Sequence, residues 1–569
     1  MKLSDAIGKY LVSKGVKVIF GYQGGAITHM IDSFDKNGIS YIQSYNEQGA
    51  GMAADAYARV SELGFGVAIG TNGPGATNLI TAIANAYCDS IPVLFFTGQV
   101  HTFAMKKRAS IRQESFQEID ILSMVRPITK YCVTIMDKNR ALSEIDKALK
   151  IALEGRKGPV LVDIPVDVQG QDVEYVLPEE VYTQTIQDDS EHFQNICDML
   201  RIAERPLVIA GGGIRNAGAV NEFREMINTI PIPVVSSLMG LDVLPHDNEC
   251  FVGYIGSYGN RYANFAVQNA DLILAIGTRL DLRQTGKRRD LFAPKAKLIH
   301  IDIDENELGH FVVEDVAIKC DIKHFLIKFN SMLGEINGPI LTKWKHQIEK
   351  WKIDYPSNKE FLESKELNPN LFLKKIGKHI PSNSVITFDV GQNQMWSAQS
   401  LRVLGDDIRI LNSGGLGAMG YSLPASIGAY FAQSAKKIIA LMGDGGLQMN
   451  IQELQMIAHH KIPIKVFVFK NNALGLIRDI HEKYYYDRYV GSVDKFSVPP
   501  LDRISVAYGM KYYKIIDYAD CDNLEEIIRD NNPWLIEIEM NSKTYVRPEL
   551  LGSDSLDRQS PYVDCCERK

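Results

Sequence analysis

Apolar runs of strand length recur along the whole chain, and each ends in glycine or at a turn. They lie at 64–75, 91–99, 158–165, 205–213, 270–278, 297–304, 384–391, 436–446, 464–472 and 533–540. Continuous runs rich in β-branched residues are typical of strands that are buried on both faces. Because helix-length segments separate the runs, the pattern predicts parallel sheets joined by right-handed crossovers. We therefore expect an α/β protein built of doubly wound parallel-sheet domains.

The periodicity lapses twice, at 169–184 and at 333–360, and these lapses indicate domain boundaries. A chain of 569 residues also predicts several domains, at roughly 150 residues each. We predict an N-terminal domain at 1–175, a middle domain at 185–335, a linker at 336–365, a C-terminal domain at 366–546 and a tail at 547–569. The tail has little periodicity, so we expect it to lie along the surface or over a cleft.

Composition narrows the range of partners. Hydrophobic residues make up 45% and charged residues 23% of the chain, as in an average globular protein. The 62 basic and 69 acidic residues leave a net charge of −7, which does not attract nucleic acid or an anionic membrane. The amino terminus lacks the pattern of a signal peptide, and no long apolar run follows. We expect a cytoplasmic protein whose eight scattered cysteines are reduced and structural.

The clearest chemical signal lies at two neighbouring strand ends. Asp444 stands between two glycines that close one predicted strand, and Asn471 closes the next predicted strand. Carboxyl ends of neighbouring parallel strands form the crevice where such sheets bind ligands. Oxygen ligands suit Mg²⁺, which often shares its coordination with phosphate. The pair therefore predicts a diphosphate–Mg²⁺ site, although a Gly-Asp-Gly sequence alone is also typical of an ordinary turn.

Five segments in the same order resemble signatures of the thiamin diphosphate enzymes and, within them, of the acetolactate synthase family. These segments are 46–59, 71–93, 126–131, 388–396 and 411–429. The resemblance extends over nearly the whole length of the chain. It implies an N-terminal domain that binds the pyrimidine end of the cofactor, a middle domain, and a C-terminal domain that binds its diphosphate end. Thiamin diphosphate and Mg²⁺ are the implied cofactors.

The resemblance also implies which C-terminal residues bind the cofactor. Mg²⁺ would be held by Asp444, Asn471 and the carbonyl of Ala473. The cofactor would lie against Val390, Gly391, Gln392, Asn393, Gly417, Met419, Gly443, Gly445 and Gly446. Glycine permits close backbone approach, and free N–H groups at a helix start bind phosphate oxygens. The alternative for 390–394 is an ordinary strand-to-helix turn.

Four residues match catalytic positions of the family. Glu47 matches the glutamate that hydrogen-bonds the aminopyrimidine ring and stabilises its imino tautomer, so that the exocyclic nitrogen serves as a base. Met419 would force the cofactor rings into a bent conformer that brings this nitrogen near the reactive carbon. Gly25 and Gln117 match positions near the reacting carbonyl, although Gln23 replaces the proline usual before the glycine pair. The alternatives are a helix-start glutamate and a methionine that fills the core.

The middle block resembles the FAD-binding domain of the same family. The residues that carry this resemblance are Gly211, Gly212, Gly213, Leu238, Met239, Arg279, Asp281, Arg283 and Asp302. Arg279 and Arg283 would face the dinucleotide, and Asp302 its ribose side. Asn216 occupies the third glycine position of a G-x-G-x-x-G fingerprint, so a middle domain without cofactor is the alternative. FAD would be structural, because decarboxylation and carboligation need no net redox change.

The resemblance implies an enzyme that decarboxylates a 2-oxo acid, expected to be pyruvate, and transfers the acyl-anion equivalent to a carbonyl acceptor. Ile480 stands where the family carries a tryptophan in the acceptor pocket, and the loop 101–118 is long and basic. Its IRQ-x-x-FQE pattern resembles that of relatives that act on nucleotide sugars. The acceptor could therefore be a keto-sugar nucleotide, with phosphates bound by Lys106, Lys107, Arg108 and Arg112, unless these residues are only a solvated loop.

Two other functions stay open. One is acetolactate synthesis from two molecules of pyruvate. The other is a non-catalytic regulatory homologue that binds the cofactor, although the presence of Glu47, Asp444 and Asn471 argues against it. In the family, the glutamate and the Gly-Asp-Gly motif meet across two chains. A homodimer or homotetramer with active sites at the subunit interface is therefore implied.

Overall fold

A computed structural model of the chain describes residues 1–106, 110–177, 190–333, 341–361, 366–402 and 404–563. These residues form three parallel six-stranded sheets. In each sheet, alternate side chains of the central strands enter apolar clusters on opposite faces. The predicted α/β class with three doubly wound domains is confirmed. Within the described parts of the chain, no helix is both long enough and apolar enough to cross a membrane.

The N-terminal sheet has the strand order β2-β1-β3-β4-β6-β5. Its strands are β1 Val18–Gly21, β2 Ser40–Gln43, β3 Gly66–Gly70, β4 Val93–Gln99, β5 Tyr131–Thr134 and β6 Val160–Pro165. Its helices are Leu3–Ser13, Thr28–Lys36, Glu47–Val60, Pro74–Asn78, Ile80–Cys88, Ile121–Val125, Ala141–Leu153 and Val166–Gln169. All strand pairs in this sheet are parallel.

The middle sheet has the order β12-β11-β10-β7-β8-β9. Its strands are β7 Pro206–Ala210, β8 Val234–Ser236, β9 Phe251–Tyr254, β10 Leu272–Ile276, β11 Lys297–Asp302 and β12 Val316–Lys319. Its helices are Ser190–Ile202, Gly213–Asn216, Val220–Thr229, Arg261–Asn269, Leu282–Thr285 and Ile322–Leu333. Counted within the domain, this is the order in which the first and fourth strands lie side by side, as in dinucleotide-binding folds.

The C-terminal sheet has the order β14-β13-β15-β16-β18-β17 and so repeats the topology of the N-terminal sheet. Its strands are β13 Ser384–Phe388, β14 Arg409–Asn412, β15 Lys437–Gly443, β16 Lys465–Lys470, β17 Lys511–Ile515 and β18 Trp534–Glu539. Its helices are Pro369–Gly377, Gln392–Ser400, Ser422–Ala432, Asp444–Met449, Leu454–His460, Gly475–Tyr484, Leu501–Ala507 and Leu524–Arg529.

The segments outside the three sheets pack on the middle domain. The region predicted as a linker contains the helix Thr342–Asp354, whose Trp344 and Trp351 join the apolar cluster beneath the middle sheet. The indole N–H of Trp344 donates to the carbonyl of Pro206 at 3.1 Å. The tail forms two short antiparallel strands, β19 Glu549–Leu550 and β20 Gln559–Ser560.

The N-terminal and C-terminal domains share one apolar core, which is built around two helices. Glu47–Val60 packs against Ser422–Ala432, and a β-carbon at Gly428 would lie only 2.0 Å from the carbonyl oxygen of Ala53. Glycine at this position therefore lets the two helix backbones touch. Since one helix begins with Glu47 and the other follows the segment of Met419, their contact positions both predicted sites.

Candidate active site

The predicted metal ligands lie together at the carboxyl ends of β15 and β16. Asp444 accepts hydrogen bonds from the backbone N–H of Gly445 at 2.8 Å and of Asn472 at 2.7 Å. The side-chain amide of Asn471 donates to Oε1 of Gln392 at 3.1 Å. Gln392 begins the helix that follows β13, so three strand ends contribute to one group.

The donor set of this group fits Mg²⁺. Burial raises the pKa of the Asp444 carboxyl to about 6, against the opposing effect of its backbone hydrogen bonds. A carboxylate, the amide oxygen of Asn471 and the backbone carbonyl of Ala473 are hard oxygen donors, which Mg²⁺ prefers. The buried Oδ1 of Asn393 has no hydrogen-bond partner among the described residues, and such an atom is expected to pair when a ligand binds.

The segment that carries Met419 is held beside this group by a buried carboxylate. Asp389 accepts hydrogen bonds from the N–H of Gly420 and of Ser422, each at 2.9 Å. Its pKa is raised to about 6 by burial. A β-carbon at Gly445 would lie 3.4 Å from the methyl carbon of Met419, so the two predicted cofactor residues are neighbours.

Gly417, Gly443 and Gly446 lie near the group as well, Gly443 at the end of β15 and Gly446 in the helix Asp444–Met449. Gly417 has a φ of 72° and Gly391 a φ of 136°, which a residue with a side chain adopts only with strain. A β-carbon at Gly446 would lie 2.7 Å from the carboxylate of Asp389, and one at Gly443 would lie 3.5 Å from the amide nitrogen of Asn393. The structure therefore brings the predicted diphosphate-binding residues together.

Glu47 lies at the carboxyl end of the N-terminal sheet, after β2. It is the first residue of its helix, and Asn46 caps that helix by accepting from the N–H of Gln48 at 2.8 Å. The Glu47 side chain is buried, and its Oε2 accepts from the amide of Asn78 at 2.9 Å. A β-carbon at Gly75 would lie 2.9 Å from the other carboxylate oxygen.

Gly25 and Gln117 lie at the same edge as Glu47. Gly25 starts a turn after β1, and nothing lies within 4 Å of the position that its β-carbon would occupy. Gln117 has a φ of 62°, and its carbonyl accepts from the amide of Asn72 at 3.2 Å. Within the described chain, no hydrogen bond joins this N-terminal group to the group of Asp444. One chain thus presents two half-sites at two sheet edges.

One residue near Glu47 escaped the sequence analysis. Glu453 of the C-terminal domain is fully buried and accepts from the N–H of Tyr45 at 3.2 Å and 3.3 Å. Burial raises the pKa of Glu453 to about 7. Its sequence signal is weak, because Glu453 lies between two glutamines in a helical segment of mixed polarity. Asp389 gave a comparable signal, an acidic residue at the end of an apolar strand.

A cavity of about 240 Å³ lies between the N-terminal and middle domains and reaches Gly414 of the C-terminal domain. The predicted FAD residues that line it are Gly212, Gly213, Leu238, Met239, Arg279, Asp281, Arg283 and Asp302. Gly211 is not part of this lining. It packs inside the middle domain, where a β-carbon at this position would lie 1.9 Å from the carbonyl oxygen of Gly277.

Cations and carboxylates both line this cavity. The cations are Arg156, Lys157, Arg279 and Arg283, and the carboxylates are Asp89, Asp281, Asp302 and Asp321. Lys157 forms no hydrogen bond or ion pair with the residues that the structure describes. Arg283 contacts Met395 at 3.6 Å. Arginine and lysine donors match phosphate oxygens, and the strand order of this domain suits a dinucleotide.

Carboxylates hold the rim of the cavity in place. Asp281 accepts from the N–H of Arg283 at 2.9 Å and pairs with Arg279 at 3.1 Å. Asp302 is buried, and burial raises its pKa. Arg156 pairs with Asp304 at 2.9 Å and so joins the N-terminal to the middle domain. Among the lining residues that the sequence pattern did not identify are Cys88, Asp89, Arg156, Lys157 and Tyr254.

Two sequence features that we predicted to bear on the acceptor are accessible in the described chain. Arg112 is exposed, and Phe116 in the same loop is 85% exposed. Ile480 is 42% exposed on the helix that follows the metal-binding group. Lys106 is described and donates its N–H to Glu118 at 2.5 Å, whereas Lys107 and Arg108 lie outside the described residues.

The chain is similar to known proteins over nearly its full length. Its residues 1–124, 193–329 and 389–538 match the N-terminal, central and C-terminal domains of thiamine pyrophosphate enzymes. A probable acetolactate synthase large subunit of Methanocaldococcus jannaschii is 37% identical, over 95% of this chain and 92% of that protein. The acetolactate synthase large subunit of Lactococcus lactis is 36% identical, over 97% and 95% respectively. The isozyme 2 large subunit of Escherichia coli is 32% identical, over 97% and 98%.

Replacing Asp444 tests the metal group. We expect Asp444→Ala to weaken binding of thiamin diphosphate with Mg²⁺ by about 100-fold or more, because a lost ligand costs at least as much as a lost supporting contact. Titration calorimetry measures this affinity. Asp502→Ala, which removes an exposed aspartate of the same domain, is the matched control and should bind as the wild type does. Equal affinity in Asp444→Ala would contradict the assignment.

Proposed function

Because the chain belongs to the thiamine pyrophosphate enzyme family, we propose that it decarboxylates pyruvate and joins the remaining two-carbon fragment to a carbonyl acceptor. The observation that carries this proposal is the presence of both half-sites in one chain. Asp444 and Asn471 form an oxygen-donor group at one sheet edge, and Glu47 lies buried at the other. A regulatory homologue without activity would have no need of both.

The C-terminal group would bind the cofactor. Asp444, Asn471 and the Ala473 carbonyl would hold Mg²⁺, and Val390 to Asn393 would bind the diphosphate through backbone N–H groups at a helix start. Thiamin diphosphate supplies the ring that stabilises the carbanion left by decarboxylation. The buried position of Asp444 excludes water from the metal ligands, which strengthens their interaction with the ion.

Glu47 would control one proton. Asn78 donates to Oε2 of Glu47, and in the described chain Oε1 has no hydrogen-bond donor of its own. Oε1 is therefore the oxygen that we assign to the aminopyrimidine ring. A carboxylate at this atom favours the protonated ring and so makes the exocyclic nitrogen a base. Met419, beside Gly445, would support the bent cofactor.

We also propose that the active site forms between two copies of the chain. The half-sites lie at the carboxyl edges of two sheets that have the same strand order. A homodimer would bring the Glu47 edge of one copy to the Asp444 edge of its partner, and a homotetramer would contain two such pairs. We assign FAD to the middle cavity. Four cations line this cavity, and the strand order of the middle domain suits a dinucleotide.

Two acceptors are supported by different observations. Relatives named acetolactate synthase support a second molecule of pyruvate. The exposed Arg112 and the accessible Ile480 favour a larger phosphorylated acceptor, a keto-sugar nucleotide, since a guanidinium binds a diphosphate well and isoleucine leaves more room than tryptophan.

The first test concerns catalysis. Glu47→Gln keeps a hydrogen-bonding group but cannot favour the protonated ring, so pyruvate-dependent CO₂ release should fall by about 100-fold or more. Thiamin diphosphate binding should persist, as calorimetry would show. Glu62→Gln replaces an exposed glutamate just beyond the same helix and should leave CO₂ release unchanged. Near-normal release by Glu47→Gln would refute the proposed role.

The second test concerns the middle cavity. Purified protein should be yellow and should release a flavin on denaturation. Arg279→Ala should weaken flavin binding, because it removes one of the cationic side chains of the cavity. Absorbance and flavin fluorescence measure both. Colourless and fully active protein that does not respond to added FAD would leave the middle domain without this cofactor.

The third test separates the acceptors. If a keto-sugar nucleotide is the acceptor, Arg112→Ala should raise its KM, while acetolactate formation should change little, because a lost charge affects only substrates of opposite charge. Product analysis by mass spectrometry measures both reactions in wild type and variant. A parallel loss of both activities, or no product with any nucleotide sugar, would favour acetolactate synthesis.

A further inference from the structure

Asp89 lies where the three domains meet. It follows the helix Ile80–Cys88 and lines the middle cavity. Its carboxylate is buried and reaches into the C-terminal domain, where Oδ1 accepts from the N–H of Gly415 at 2.7 Å and Oδ2 from that of Gly414 at 3.2 Å. These two residues begin the segment that leads to Met419, which we call the Met419 loop (414–419). One N-terminal side chain therefore fixes the start of this loop.

The same helix holds the loop at a second point. The hydroxyl of Ser413 accepts from the N–H of Gly417 at 3.1 Å and of Ala418 at 3.0 Å. That hydroxyl donates in turn to Oδ1 of Asn85, one helical turn before Asp89, at 2.5 Å. Asn85 is fully buried. The path of the loop up to Ala418 thus depends on two side chains, that of Asn85 within this helix and that of Asp89 directly after it.

A buried arginine links the two ends of the loop. Arg59 pairs with Asp89 at 3.1 Å and with Asp55 at 2.8 Å. Asp55 accepts from the hydroxyl of Tyr421, two residues beyond Met419, at 2.8 Å. Removal of one partner from a buried ion pair leaves the other charge uncompensated. A substitution at Asp89 therefore alters the ion pairs that hold both ends of the loop.

The loop and Asp89 also touch the middle cavity. Gly414 and Met239 are both part of its lining, and a β-carbon at Gly414 would lie 2.6 Å from the sulfur of Met239. The amide of Asn216 donates to the carbonyl of Asp89 at 3.3 Å. A ligand in the cavity would therefore contact the same backbone that Asp89 holds. Close packing leaves this backbone little freedom to move on its own.

We infer that Asp89 is a positioning residue that couples the middle cavity to the thiamin site through the Met419 loop, so that a dinucleotide in the cavity tightens binding of thiamin diphosphate. The inference rests on the proposed function. Such coupling is reciprocal, so thiamin diphosphate also tightens dinucleotide binding by the same factor. Asp89 acts through the loop and is not assigned any contact with substrate.

The test compares thiamin diphosphate affinity with and without FAD. Calorimetry with Mg²⁺ should show that FAD tightens binding to the wild type by about fivefold or more. Asp89→Asn keeps the size of the side chain but cannot balance Arg59, and it should lose most of this effect. Its kcat should fall by about 10-fold to 100-fold, as expected for misplaced reacting groups, with a smaller change in the KM for pyruvate.

Two further variants sharpen the result. Ser413→Ala removes only a hydroxyl and should also lose the FAD effect, so it carries the test if Asp89→Asn does not fold. Asp406→Asn is the matched control, because Asp406 joins the C-terminal domain to the middle domain through Arg224 at 3.9 Å but does not line the cavity or belong to the loop. It should keep the FAD effect.

The outcomes separate this inference from the proposed function. A wild type that neither binds thiamin diphosphate nor releases CO₂ refutes the proposed function itself. A wild type that is active but binds thiamin diphosphate equally well with and without FAD overturns the coupling alone. The coupling is also overturned if Asp89→Asn and Ser413→Ala both keep the wild-type response to FAD.

Discussion

Two helices from opposite ends of the chain, Glu47–Val60 and Ser422–Ala432, pack so closely that Gly428 has no room for a side chain beside the carbonyl of Ala53. A contact of this kind tolerates little change in volume on either side. Because the first helix begins at a predicted catalytic residue and the second follows the Met419 loop, the contact fixes the relative position of the two half-sites. The relative orientation of the two sheet edges within one chain thus follows from the packing of two backbones.

Charge reinforces this packing. Arg59, Asp55 and Asp89 form a buried group across the same interface, and each carboxylate also holds a group of the C-terminal domain. Buried ion pairs add little net stability, because desolvation offsets their attraction, but they make misplacement costly. We therefore regard the group as a determinant of geometry. The middle domain enters the same interface through Asn216 and Met239.

Sequence reasoning identified the fold class from local patterns, whereas the predicted roles of Glu47, Gly25 and Gln117 came from the resemblance to the family. Asp444 and Asn471 needed only the rule that neighbouring parallel strands end at one edge. Asp89 and Arg156 were beyond that reach, since their partners lie in other domains and no local periodicity marks them. The helix Thr342–Asp354 lies within the predicted linker, where the strand periodicity lapses, because only Trp344, Ile348 and Trp351 of this charged segment are buried.

The first and last sheets share one strand order, yet their edges carry opposite chemistry. One edge gathers oxygen donors of the kind that suit a cation, and the other carries the buried carboxylate of Glu47. A chain that uses the same frame twice can carry different loops at equivalent sheet edges, because the loops lie outside the buried strands that form each core. The connection 101–118 is then the natural segment to exchange in the laboratory when a new acceptor is wanted, since the sheet beneath it would keep its core.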